Sequence, residues 1–417
     1  MKTLKLLLAA LALCAGPLSS RANTVTVTSL ADDGTSGTLR GAIQGAASGG
    51  TINFAVTGTI LLTNTIGELA IGRNLTITGP GAKLLAINGN AASGVFNIGS
   101  VTVNISGLTI TNGSASQGGG IYNNGTLTLA NCLLSGNSAA DGGGIYNNST
   151  LTLANCTLSA NSANASTGGG GGIENWGTLT LTACTLSGNS TTGLGGGILN
   201  YFATLTLTAC TLSGNSAGAG GGLIVDGGTA TVGNTIIAGN TGFAPDVDNG
   251  VNSAGYNLIG DTTGSRGWGT NDQTGTYPST LNPFLGPLTD NGGPTATMAP
   301  QAGSAAIDNG NSFGLTTDQR GLPRPVEVPG YPNASGGDGS DIGAFEVQTM
   351  RNIGLRAYDG KAIIPIACQE SGALTSPLRI SKNGTTYGIL LVPTNFIYAS
   401  RMRIQTSSGT MALGELP

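Results

Sequence analysis

The chain of 417 residues has no histidine and few charges: 16 Lys and Arg and 20 Asp and Glu, together 9% of the residues. The missing histidine excludes Ser-His-Asp and Cys-His catalysis, imidazole general bases and His-ligated zinc. The charge content is far below the quarter usual in globular domains. Between Lys83 and Arg266 there is no Lys or Arg, and the acids are Asp141, Glu174, Asp226, Asp246, Asp248 and Asp261. A surface without cations cannot neutralise phosphates, so nucleic acid is not expected as a partner. Beyond the N-terminal segment no apolar run reaches the ~18 to 20 residues of a membrane helix, so no transmembrane span is expected. No cofactor is expected either.

Glycine is abundant (72 residues) but shows no G-X-Y period, which excludes collagen. Residues 1–22 combine Lys2 and Lys5, an apolar run from Leu6 to Ala15, and Ser20-Arg21-Ala22, the pattern of an export signal. The remaining chain is expected to be exported, outside the cell or at its surface. Residues 23–348 carry six basic and 17 acidic groups; residues 349–417 carry seven basic and three acidic. That basic tail, with alternating stretches at 362–366, 387–392 and 401–405, is expected to form a small β module of unknown type. It suits attachment to an anionic envelope component.

Self-similar units begin at Gly118, Gly142, Gly170, Gly195 and Gly220, 24 to 28 residues apart. Each holds three short runs alternating at period two, an Ile-x-Asn, a Leu-Thr-Leu-Thr and a Cys-x-Leu-Ser, and none shows helical periodicity. The reading is all-β: a right-handed parallel β-helix with three-strand coils over 51–262. A cap over 23–50 precedes it, with Leu39 and Ile43 on a short helix. Stacked coils turn repeated residues into columns. Leu127/Leu151/Leu179/Leu205, Leu129/Leu153/Leu181/Leu207 and Cys132/Cys156/Cys184/Cys210 should face inward, the cysteines as buried thiols. Asn123/Asn147/Asn175/Asn200 and Asn137/Asn161/Asn189/Asn215/Asn240 should form amide ladders at the bends.

The unit resembles the short repeats of polymorphic outer membrane proteins, with Leu134, Leu158, Leu186 and Leu212 in the aromatic place. Val25-Thr-Val-Thr-Ser-Leu-Ala-Asp-Asp with Gly37-Thr-Leu-Arg-Gly-Ala-Ile resembles the CSLREA region of bacterial surface β-helix proteins. Asn282-Pro-Phe-Leu-Gly-Pro-Leu-Thr-Asp-Asn-Gly-Gly-Pro-Thr, Gly303-Ser-Ala-Ala-Ile-Asp, Thr317-Asp-Gln-Arg-Gly-Leu-Pro-Arg and Asp341-Ile-Gly-Ala-Phe-Glu resemble the choice-of-anchor Q domain, placing an anchor-associated region at 263–348. These resemblances imply a right-handed parallel β-helix on surface architecture, without catalytic residues.

Two functions follow. In one, the chain is a non-catalytic scaffold, an adhesin or carbohydrate-binding surface protein. Tyr122 and Tyr146 then occupy one outward position and Trp176 and Tyr201 another two residues on, as sugar-stacking columns. In the other it is a polysaccharide hydrolase or lyase. A glycosidase needs two carboxylates about 5 to 10 Å apart, and Glu174 and Asp226, two coils apart, are the pair that could share a face. A uronate lyase needs a cation beside its base, and the coil has none. In 263–348, Asp308, Asp318 and Asp341 are calcium candidates by residue type, but the spacing fits no EF-hand loop. Ion pairs with Arg320 and Arg324 are the expected arrangement.

Overall fold

The computed structural model describes residues 23–63, 67–164 and 168–348, and the backbone of six strands after them. It divides into two compact units, Met1–Cys368 and Gln369–Pro417. From Thr24 to Thr274 every strand pairing is parallel and joins one coil to the next. Without a hairpin, such a ladder can form only by winding. The one described helix, Leu39–Gly45, starts at Thr38, whose hydroxyl accepts the Gly41 amide, and buries Leu39 and Ile43 over the first coil. Its Arg40 pairs with Asp32 at 2.7 Å, both out of solvent. No described helix is long and apolar enough to cross a membrane.

A regular coil is represented by Ile121–Asn123, Thr126–Ala130, Leu133–Ser135 and Ser138–Asp141. The first two segments lie in one long sheet and the others in a second and a third, giving three faces. The Ser138–Asp141 strand is a fourth segment beyond the three runs expected in each coil. In the later coils the first two segments fuse into the 11-residue strands Ile198–Thr208 and Leu223–Gly233. The ladder also extends past the expected 51–262. Thr24–Val27 pairs with Thr51–Phe54, and Leu258–Ile259 pairs with Gln273–Thr274. These end coils lack the repeat's residues but keep its backbone bonding.

The columns are in register. Leu127, Leu151, Leu179 and Leu205 are paired in sequence, and they and the cysteines are buried at 0–1% exposure. The four cysteines are free thiols. At one bend Asn123 Nδ2 donates to Asn147 Oδ1, Asn147 to Asn175 and Asn175 to Asn200, each at 2.7 Å. At another, Asn137, Asn161, Asn189 and Asn215 each donate to the next rung at 2.9 Å, ending on Asn240. In this second ladder each Oδ1 also accepts the preceding rung's backbone amide. The corner just before it needs a left-handed backbone: Gly136, Gly188, Gly214 and Gly239 have φ of 64–73° there. Asp246 replaces the amide at the final rung, accepting from Asn240 at 2.9 Å and from the Asp261 amide at 2.7 Å.

Residues 279–348 pack along the second sheet rather than standing free of it. Gln319 accepts from Thr185 Oγ1 at 2.6 Å and donates to Thr157 Oγ1 at 2.8 Å; Ala344 donates its amide to Thr211 Oγ1 at 3.0 Å. The outward threonine column of that sheet is therefore buried. The corresponding threonines of the long sheet, such as Thr126, Thr150 and Thr178, remain exposed. In the tail, Arg356–Tyr358 pairs antiparallel with Ile363–Pro365. Leu378–Lys382, Thr385–Ile389, Arg403–Thr406 and Gly409–Ala412 form an antiparallel sheet in the second unit. The export signal lies outside the described residues.

Replacing Asn161 or Asn189 by Leu removes two rung-to-rung side-chain hydrogen bonds and the acceptor of the preceding rung's buried backbone amide. The expected loss is about 1–3 kcal/mol, measured by chemical denaturation; unchanged stability would mean the ladder contributes nothing. Burial raises the carboxyl of Asp246 to about 6. Burial and the neighbouring Glu346 raise that of Asp341 to about 8. Both hold their proton more tightly folded than unfolded, so their contribution is complete below about pH 4 and is lost as pH rises through 6 and then 8. The thermal midpoint is expected to be higher at about pH 5 than at about pH 9; a flat or rising profile across that window would contradict the assignment.

Candidate functional site

With the second sheet covered, the long sheet presents the open face, and its outward residues near the first bend carry the aromatics. Parallel pairing puts Tyr122 beside Tyr146, then Tyr146 beside Glu174. One residue beyond the Asn175–Asn200 pair, Trp176 meets Tyr201. The two expected columns join into one stack. Tyr122 and Tyr146 lie 5.6 Å apart and nearly parallel, Tyr146 and Trp176 6.5 Å, Trp176 and Tyr201 4.3 Å, and Tyr201 and Phe202 4.9 Å edge-on. Such contacts each stabilise neighbouring coils by about 0.5–1.5 kcal/mol. Exposure differs along the stack: Tyr146 is buried, while Trp176 at 44% and Phe202 at 71% stand open to solvent. Tyr146 therefore supports the stack without offering a free ring face.

Glu174 sits in the tyrosine column at 3% exposure. Its Oε1 accepts the Trp176 indole N–H at 2.8 Å, which fixes the ring, while Oε2 is buried without a hydrogen-bond partner. Burial raises its pKa; the indole N–H opposes this, Asp141 adds to it, and the amides of Gly169 and Gly170 give partial relief. Burial first, then the charges of Glu174 and Asp141, push the Tyr146 phenol up to about 12. Thus Asp141, not Asp226, is the acid in the field of Glu174. The register carries Glu174 through Leu199 to Ile224, while Asp226 stands two residues on in the column of Tyr201, and the Glu174 carboxyl bonds the Trp176 indole.

Asp226 pairs with Tyr201 and lines an open hollow of about 250 Å³ with Gly227, Gly228, Asn249, Gly250 and Arg266. A second hollow of about 360 Å³ adjoins it, sharing Gly228, Gly250 and Arg266. The expectation that the coil lacks a cation needs correcting here, because the ladder runs past 262 and pairs Gly250 with Arg266. The sequence signal available was Arg266 itself, the first cation after Lys83. Phe202 gave no repeat signal and was missed.

The calcium candidates are committed elsewhere. Asp318 pairs with Arg320 at 2.7 Å, and Glu346 with Arg324 at 2.7 Å. Asp341 accepts the amides of Asp308 and Val347, and Asp308 Oδ2 accepts that of Val328. Among the described residues no three His, Cys, Asp or Glu side chains converge as a metal site.

Because Glu174 holds its proton above the ordinary carboxylate value, the emission of Trp176 is expected to titrate above about pH 4.3. Glu174→Gln should remove that transition and leave the signal of Trp268. An identical titration in the variant would show that the indole does not sense Glu174.

Residues 64–203 match the family described as a right handed beta helix region, which gives the parallel coil its right hand. No curated protein matches the chain. Among solved structures it is similar to the crystal structure of pectate lyase Pel9A, at 12% identity and a TM-score of 0.38 over 78% of this chain and 96% of that one. By its parallel pairing and by that family match, the protein is a right-handed parallel β-helix.

Proposed function

We propose that the chain is an exported, non-catalytic β-helix scaffold that binds polysaccharide on the open face of its long sheet. The observation that carries this reading is the continuous stack from Tyr122 to Phe202, which holds the Trp176 and Phe202 rings rigid and exposed along the rod axis. Rigid amphipathic rings cost little entropy to present and suit the apolar faces of sugars. The indole is oriented by its bond to Glu174, so that carboxylate serves to position the ring. Export rests on the signal-like first 22 residues. A surface location agrees with the resemblances to polymorphic outer membrane repeats, the CSLREA region and the choice-of-anchor Q domain, and the basic tail of 349–417 suits attachment to anionic envelope material.

The buried, proton-retaining Glu174 beside Asp141 favours a second reading, a glycan hydrolase using a carboxylic acid and a carboxylate. Its substrate would have to reach an oxygen that is now enclosed.

A glycan array probed with the full chain separates the two. Binding is expected without release of reducing ends or unsaturated product, and Trp176→Ala should weaken it about tenfold, the order of one aromatic stacking contact. Turnover that Glu174→Gln abolishes would establish the enzyme instead.

A further inference from the structure

The outward column containing Trp176 does not stop at Tyr201. Tyr201 pairs with Asp226 and Gly250 pairs with Arg266, and Asp226, Gly250 and Arg266 line one hollow. Trp176, Tyr201 and Asp226 thus stand on successive coils, each step about 4.8 Å, and Gly250 and Arg266 stand on the coils beyond them. That step is close to the length one sugar adds to an extended glycan chain.

Three features make the far end of this column more than a dent in the surface. Phe202 adopts φ 48°, a left-handed backbone that a side chain disfavours, and its ring is 71% exposed. The ring lies over Gly227, where an added Cβ would come within 2.8 Å of it. Gly228 and Gly250 line the hollow beside it, and the Arg266 side chain lies over Gly250, so a pyranose ring entering there would meet the guanidinium. Arg266, exposed at the end of the floor, makes no ion pair among the described residues. Asp226 and Asn249 complete the rim.

Resting on the carbohydrate-binding reading above, we propose that this glycine-floored trough is a second glycan subsite, continuous with the Trp176–Tyr201 platform, and that it takes a neutral polysaccharide lying along the rod axis. A carboxylate accepts from hydroxyls, an amide both accepts and donates, and a guanidinium donates to adjacent ring or hydroxyl oxygens. Asp226 and the neighbouring Asp248, whose carboxyl is raised by burial and by Asp226, outnumber the single guanidinium. A uronate carboxylate would meet net repulsion in the trough and again along a coil with no Lys or Arg from 84 to 265.

The test is affinity electrophoresis of the full chain through gels containing hydroxyethyl cellulose, galactomannan, laminarin or xylan, with polygalacturonate as the anionic comparison. The wild type is expected to be retarded by at least one neutral polymer and not by polygalacturonate. Trp176→Ala should weaken the binding read from the retardation about tenfold. Arg266→Gln and Gly250→Val should each weaken it about tenfold, one charge-assisted contact or one blocked subsite. Gly250 suits this purpose because an added Cβ meets only Arg266 side-chain atoms at 3.4–3.6 Å. Asp226→Asn, an isosteric change, gives the same readout should either variant unfold at lower temperature. If Trp176→Ala weakens binding while all trough variants bind as the wild type does, the trough is overturned and the aromatic platform stands. No retardation by any neutral polymer overturns both. Retardation by polygalacturonate that Arg266→Gln removes overturns the assignment to neutral glycans.

Discussion

Parallel backbone pairing places each coil one strand spacing above the last, and the side chains of the rod answer to that neighbour. A leucine must meet a leucine-sized group, and a buried amide must meet a donor and an acceptor. Asparagine satisfies this at a bend because its side chain donates to the next rung and accepts from the previous one, its Oδ1 also taking a backbone amide at the second bend. Fully satisfied, the ladder is compatible with an apolar interior; interrupted, it strands polar groups where water cannot reach. Asp246 ends the series at the cost of a carboxylate that resists ionisation.

The same spacing makes the faces unequal. The second sheet hides its outward threonines under residues 279–348, where Gln319 bridges Thr157 and Thr185 from two successive coils. The covering segment is held by buried pairs, Asp318–Arg320 and Arg324–Glu346, with Arg320 also lying 3.5 Å from the centre of the Phe345 ring. Asp318 and Glu346 therefore serve internal pairing. On the long sheet aromatic rings repeat at the coil spacing, and the buried Glu174 orients the exposed indole of Trp176.

The repeated columns were legible because identical residues at a constant interval leave little freedom of register. The leucine, cysteine and asparagine stacks follow from that. The limits of the ladder were not legible: Thr24–Val27 and Gln273–Thr274 bond as coils without carrying the repeat. This single difference hid the place of Arg266, which looked like a residue beyond the rod and instead pairs with Gly250 inside it.

Composition and periodicity by themselves determined a coiled all-β chain without imidazole chemistry and with an almost cation-free rod, because these depend on residue types and intervals alone. Tertiary structure decided which outward residues remain outward. Tyr146 and Glu174 occupy outward positions in the alternation yet are buried by the stack and the glycine-rich turns around them, while the threonines of the second sheet are buried by a segment more than a hundred residues away. Period two specifies the side of a strand on which a side chain emerges; what covers that side depends on contacts between distant parts of the chain, which no local interval encodes.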